Sequence, residues 1–185
     1  MKIKALYIAC TLLLAGAAIA AEPPAASAPA AAPPATATVQ LAMLGKVNPQ
    51  GLAMWDITNN AMDQSGEITG KRIKAGNWKQ LLAIGKALEQ GGHELATAGK
   101  IIAAPPGAKI ADEGPPGVAK AADVQRYIDA DTAAFRSRAA RLEQTGASLI
   151  EAAQKKDIPL LSDLANRLDG VCEDCHKQFW YPEKK

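Results

Sequence analysis

The sequence predicts an all-α domain in which four helices pack as an antiparallel up-down bundle. Ala, Leu, Lys, Gln and Glu dominate the chain after residue 37. The sustained alternation of apolar and polar residues that is typical of strands is missing there. Apolar residues instead recur at helical spacing in four stretches with mostly short connections, and such helices usually pack antiparallel to their neighbours.

Two segments precede this predicted domain. Residues 1–20 have a positively charged start, an apolar stretch and an Ala18-Ile19-Ala20 cleavage site, as in a secretory signal peptide. An uncleaved anchor stays open as an alternative, although the apolar stretch is short for a membrane span. Residues 21–37 are mostly Ala and Pro and predict a semi-extended linker. We therefore expect an exported protein, periplasmic in a Gram-negative cell, with its bundle over residues 38–185.

The first two helices are separated by a polar connection. The first is expected over residues 39–63, where Asn48-Pro49 either kinks the helix or starts a new one. The second is expected to start after Asn77, which is a favoured N-cap residue type. Gly91-Gly92 should weaken this second helix in its middle.

The last two helices follow a stiff connector. Residues 104–118 contain Pro-Pro-Gly twice and cannot continue a helix. A third helix is expected over residues 121–155. The fourth starts at Asp157-Ile158-Pro159, because Asp is an N-cap type and Pro suits the opening turn.

The most specific motif of the chain lies near the C-terminal end of the fourth helix, at Cys172-Glu173-Asp174-Cys175-His176. A C-x-x-C-H run is typical of covalent haem c attachment, in which each thiol forms a thioether and the histidine binds the iron. Residues three apart share a helix face, so both thiols can reach one edge of the porphyrin. We interpret Cys172 and Cys175 as haem-binding residues and His176 as the proximal iron ligand.

Three other interpretations of the motif have less support. Structural zinc normally takes four Cys or His ligands, and the rest of the chain offers only Cys10 and His93. A thioredoxin-like redox pair belongs next to a strand in a βαβ pattern, which the sequence lacks. A Cys172–Cys175 disulfide stays open, but it leaves His176 without a role.

The charge balance excludes strong electrostatic attraction to nucleic acid. Removing residues 1–20 removes Lys2 and Lys4 from 21 basic residues, which leaves 19 basic against 19 acidic side chains. A nearly neutral chain without a basic, aromatic-rich run does not predict nucleic-acid binding. Redox partner proteins would have to dock through local patches.

The topology also indicates which residue lies on the side of the iron opposite His176. In an up-down bundle the end of the fourth helix lies level with the start of the first. This selects Met43 as the distal iron ligand, with Met54 as the second choice and Leu44 as the residue that would leave the iron open. A methionine opposite a histidine raises the reduction potential of a haem. Each methionine also has the alternative of simply filling the core.

The motif in the last helix of a predicted four-helix bundle resembles the class II c-type cytochromes, comprising cytochrome c′ and its low-spin, methionine-ligated relatives. The resemblance covers residues 38–185 and is clearest over 135–157 and 168–179. It implies haem thioethers at Cys172 and Cys175, a proximal ligand at His176, and Met43 at the position of the low-spin methionine.

One position departs from the family pattern. Members commonly carry a basic residue four positions after the ligand histidine, where this chain has Trp180. Trp180 and Tyr181 could pack over the haem edge, with a polar tip free to donate a hydrogen bond, or they could be ordinary packing at the helix end.

The residue opposite His176 on the iron decides between two possible functions. A methionine on the iron favours a monohaem electron carrier that serves redox partner proteins and is not an enzyme. A hydrocarbon such as Leu44 favours a five-coordinate, cytochrome c′-like protein that binds or scavenges NO or CO. A peroxidase is disfavoured because no distal His and Arg pair is evident and His93 is expected to face solvent. A homodimer and a membrane tether through the linker stay open.

Overall fold

The computed structural model describes residues 35–111, 113 and 119–182, so the predicted signal peptide and most of the predicted linker lie outside the described residues. The described part is mostly helical, as the sequence predicts. It contains helices α1 (Val39–Ala42), α2 (Asn48–Ala61), α3 (Ala75–Thr97), α4 (Ala121–Ala130), α5 (Thr132–Lys155) and α6 (Ile158–Phe179), and strands β1 (Thr36–Thr38) and β2 (Lys100–Ile102). None of the described helices is long and apolar enough to cross a membrane.

The first helical run continues through Asn48-Pro49 instead of ending there. A π-helical segment, Met43–Val47, joins α1 to α2, and Asn48 has helical backbone angles. Pro49 lacks the N–H that an α-helix needs in its interior, and the wider π-helical turn ends two residues before it. Residues 39–61 therefore form one helical run with an irregular turn near its start.

Helix α3 begins before the predicted N-cap. Lys74 precedes its first residue, and Asn77 lies inside the first turn. The Asn77 side-chain oxygen accepts a hydrogen bond from the Lys74 backbone N–H at 2.9 Å. The N-cap prediction is thus wrong: the amide satisfies a backbone donor from within the helix instead of from its border.

The glycine pair does not interrupt α3. A Cβ on Gly92 would lie 2.3 Å from the backbone nitrogen of Glu143 in α5. A Cβ on Gly146 of α5 would lie 2.2 Å from the backbone nitrogen of Glu89. These glycines let the backbones of the two helices touch, and this packing offsets the low helix propensity of glycine.

The predicted third helix is in fact two helices. Asp131 leaves the helical conformation with φ −146° and ψ 66°, and its carboxylate accepts a hydrogen bond from the Ala134 N–H at 2.9 Å. Asp131 therefore ends α4 and caps α5. The predicted start of α6 is confirmed, because the Asp157 carboxylate accepts from the Leu160 N–H at 3.0 Å and Pro159 lies in the first turn.

A short parallel pairing was not predicted. β1 pairs with β2 in the register Thr36↔Lys100, Ala37↔Ile101 and Thr38↔Ile102. β1 thus includes Thr36 and Ala37, which the sequence analysis assigned to the linker. Three residues are too few to show strand alternation, so the sequence carries little signal for this pairing.

Two hydrophobic clusters form the core and meet around one residue, Met43. The first fills the space between α2, α3, α5 and α6, and its largest fully buried hydrophobic side chains are Met54, Leu81, Leu88, Leu149, Leu161, Leu164 and Leu168. The second includes Leu95, Ile128, Phe135 and Phe179, together with residues of both strands. Met43 packs against both clusters, Cys172 against the first and Cys175 against the second.

Candidate functional site

A cavity of about 540 Å³ adjoins both core clusters. Its lining includes Val47 and Leu142 of the first cluster and Leu95 and Phe135 of the second. Cavities of ~300–1,000 Å³ with mostly apolar walls are typical of small-molecule and cofactor sites. The first helical run, α3, α5, α6 and the loop after β2 all contribute to its walls.

Helix α6 brings the three residues of the predicted motif to one wall of this cavity. Cys172, Cys175 and His176 all line it, and all three are half-buried. Their spacing of three and four residues places them on one face of the helix. Two thiols and an imidazole therefore face one shared volume.

Burial controls the protonation of these groups. It raises the pKa of the Cys172 thiol, and it raises the pKa of Cys175 to about 11 although Arg138 opposes the shift. Both thiols are therefore protonated at neutral pH and weakly nucleophilic. Burial also lowers the pKa of His176, against the opposing charge of Glu173, which favours the neutral imidazole that metals bind.

The first helical run supplies another part of the cavity wall. The candidate distal ligands on this run differ in their burial and in whether they line the cavity. Met43 lies in the π-helical segment, is half-buried and lines the cavity. Leu44 also lines it and is 58% exposed. Met54 is fully buried in the first cluster and is not part of the lining. Of the two candidate methionines, Met43 alone shares the cavity with His176.

Two aromatic residues at the end of α6 lie beside His176. The N–H groups of Trp180 and Tyr181 donate to the His176 carbonyl at 2.8 and 3.0 Å, and both side chains line the cavity. Their ring centroids lie 6.1 and 6.0 Å from the imidazole. The Tyr181 hydroxyl donates to Glu173, and this hydrogen bond raises the pKa of Tyr181 to about 12. The Tyr181 hydroxyl is therefore already hydrogen-bonded to a carboxylate.

Arg138 connects α5 to α6 next to the motif. Its guanidinium donates to Asp174 at 3.3 Å and to Gln178 at 3.4 Å. Arg141 donates to the same Asp174 oxygen at 3.0 Å. Arg138 also lines the cavity, and its positive charge acts on the Cys175 thiol.

The loop after β2 forms a wall of the cavity, which the sequence pattern does not predict. We call residues 104–111 the strap. Lys109, Ile110 and Ala111 of the strap line the cavity, and Ile110 is buried. The Gln40 side chain donates to the Lys109 carbonyl at 2.6 Å, which fixes the strap to α1. The predicted connector thus closes part of the cavity.

Sequence reasoning also missed which apolar side chains face the cavity. Trp55, Phe135, Leu142 and Val171 line it. Helical periodicity places such residues in the core, but it does not distinguish a packed position from one beside a cavity.

His93 is not part of this site. Its Nδ1 atom lies 2.9 Å from a carboxylate oxygen of Glu143, and it does not line the cavity. Among the described residues, no group of three or more His, Cys, Asp or Glu is arranged to hold a metal ion. The comparisons with known proteins found no matching family model, no similar curated protein and no similar solved structure.

Proposed function

We propose that this chain is a periplasmic monohaem c-type cytochrome, not an enzyme, that carries electrons between redox partner proteins. The observation that carries the proposal is the shared cavity of about 540 Å³, which Met43, Cys172, Cys175 and His176 all line. Their donor set is two thiols, an imidazole and a thioether, which is the set that a methionine-ligated haem c requires.

The residues present fit that group. Cys172 and Cys175 would hold the haem through thioethers, His176 would bind the iron from α6, and Met43 would bind it from the first helical run. The haem, when bound, supplies an iron that gains and loses one electron. The apolar side chains of Val47, Phe135 and Leu142 would exclude water from the ligands.

The arrangement also suits electron exchange with a partner. Leu44 is 58% exposed and Tyr181 is 42% exposed, and both line the cavity. They would form the accessible rim through which a partner protein approaches the edge of the cofactor. Neutral ligands held by two long helical runs would change position little between the two oxidation states.

We further propose that the long helical runs, residues 39–61, 75–97, 132–155 and 158–179, form an antiparallel up-down four-helix bundle. The cavity supports this arrangement, because it joins the start of the first run to the end of the last run. An up-down bundle places these two ends at the same level. This combination is the basis for the proposed similarity to class II c-type cytochromes.

The optical spectrum of the purified holoprotein with and without carbon monoxide tests the function. An electron carrier with Met43 on the iron is low-spin, and its spectrum does not change when carbon monoxide is added. Met43→Ala should become high-spin and bind carbon monoxide, whereas the volume-conserving control Met54→Leu should behave like the parent. A high-spin parent that binds carbon monoxide would overturn electron transfer in favour of the five-coordinate gas-binding alternative.

A further inference from the structure

The segment that carries Met43 is an irregular turn of the first helical run. Met43–Val47 is π-helical, whereas the residues on both sides of this segment are α-helical. A single π-helical turn inside an α-helix is uncommon, and such turns are frequent at functional sites. The wider turn changes the direction of the side chains before it relative to those after it. The direction of Met43 therefore depends on the contacts that hold this turn in place.

Gln40 attaches the beginning of the turn to the strap. Its backbone N–H donates to the Ala103 carbonyl at 3.0 Å, directly before the strap, and its side-chain amide donates to the Lys109 carbonyl at 2.6 Å. The next strap residue, Ile110, is buried in the second cluster, against which Met43 also packs. Gln40 lies three residues before Met43 on the same helix face, and both line the cavity. One residue thus binds the chain at both ends of the strap, one helical turn from Met43.

Lys46 attaches the end of the turn to α3. Its ammonium nitrogen lies 2.5 Å from a Glu94 carboxylate oxygen, and Gln90 donates to the same oxygen at 3.0 Å. Lys46 lies three residues after Met43, and the next residue, Val47, is buried. The turn is therefore held on both sides of Met43, by a hydrogen bond to the strap and by an ion pair with α3. We call these two interactions the anchor contacts.

We propose that Gln40 and Lys46 are positioning residues, whose anchor contacts keep the Met43 thioether in the cavity, where it can bind the iron opposite His176. This inference rests on the proposed function. Without the anchor contacts the turn has more positions available, and most of them leave the thioether away from the iron. Ordering the turn again costs conformational entropy. The anchor contacts thereby favour the six-coordinate electron carrier over the five-coordinate gas-binding alternative.

The test is a titration of the ferric holoprotein with imidazole, a small ligand that binds the iron only where Met43 has left it. The fraction of molecules with Met43 detached sets the apparent imidazole affinity. Gln40→Ala should raise this affinity about 3- to 10-fold, the size expected for the loss of one hydrogen bond. Gln40→Glu should raise it as well, because a carboxylate has no donor for the Lys109 carbonyl.

The Lys46 anchor contact has a separate signature. Lys46→Met should raise the imidazole affinity about 2-fold, because the ion pair with Glu94 is partly exposed. The difference between this variant and the parent should shrink at high salt, which screens the ion pair. The Gln40→Ala effect should persist at high salt.

Gln50→Ala is the matched control, because Gln50 lies on α2 of the same helical run and does not line the cavity with Met43. Its imidazole affinity should equal that of the parent. A lower urea midpoint with unchanged imidazole affinity in Gln40→Ala or Lys46→Met would overturn the positioning role of that residue. Met43→Ala should bind imidazole far more tightly than the parent. An unchanged affinity in Met43→Ala would contradict Met43 as the ligand, and with it the proposed electron carrier.

Discussion

Gly146→Ala should separate helices α3 and α5. The added Cβ would lie 2.2 Å from the Glu89 nitrogen, 2.7 Å from the Glu89 Cα and 2.7 Å from the Gly85 carbonyl oxygen. All three obstacles are backbone atoms, which cannot rotate away as a flexible side chain can. The helices therefore have to move apart, and α5 carries Phe135, Arg138 and Leu142 of the cavity wall with it.

The size of the effect follows from two opposing contributions. Overpacking a close contact costs about 1–3 kcal/mol, and backbone obstacles place this substitution near the upper end. Replacing Gly by Ala inside a helix stabilises the folded state by about 1 kcal/mol through helix propensity. The free energy of unfolding should therefore fall by about 2 kcal/mol.

Gly170→Ala is the matched control. Gly170 is an exposed position within α6, and a Cβ there would meet no atom within 4 Å. Only the propensity gain applies, so the free energy of unfolding should rise by about 0.5–1 kcal/mol. The two Gly→Ala substitutions thus have opposite predicted signs.

Urea unfolding followed by far-ultraviolet circular dichroism measures both variants. The free energy comes from the midpoint and the slope of the transition, and an unchanged slope shows that the comparison is valid. A Gly146→Ala midpoint at or above that of the parent would refute the direct backbone contact between α3 and α5.

Three further substitutions test other parts of the structure. Met54→Ala should lower the free energy of unfolding by about 2–5 kcal/mol in urea, because Met54 is fully buried in the core. Asp157→Ala should cost about 1 kcal/mol in the same assay through loss of the α6 cap, whereas no change would exclude that cap. Tyr181→Phe tests the hydrogen bond to Glu173 that raises the pKa of Tyr181 from 10.0 to about 12. Its stabilisation is present below pH 10 and lost as pH rises to about 12, so the urea midpoints of parent and variant should converge over that range. A difference between the two urea midpoints that does not change with pH would contradict the hydrogen bond between Tyr181 and Glu173 as the cause.

Local chemistry made much of the fold predictable. The Asp157 cap and Pro159 are adjacent in sequence, and they mark the start of α6 without help from the rest of the molecule. The errors occurred where tertiary contacts outweigh local preference. Gly92 looks like a weak point until the α5 backbone is placed 2.3 Å from its missing Cβ. Asp131 is a different case, because it ends α4 and caps α5 through a local bond to Ala134, which the apolar pattern alone does not show.

The candidate site likewise has one part that the local sequence predicts and another that depends on tertiary contacts. Cys172, Cys175 and His176 share a helix face because of their spacing alone, so the sequence is sufficient to group them. Placing Met43 near the motif needed an assumed order and direction of the helices, and Met43 does line the same cavity as His176. The position of Lys109 depends on a hydrogen bond from Gln40, 69 residues earlier in the chain, and no local pattern encodes it.

The most direct test of the haem site is the intact mass of the protein under denaturing conditions. The protein should be produced by export in cells that assemble c-type haem. We expect the mass of the mature chain plus one haem that stays attached after denaturation, and Cys172→Ala or Cys175→Ala should leave at most one thioether. A chain without haem, with a mass that fits a Cys172–Cys175 disulfide, would contradict the proposal.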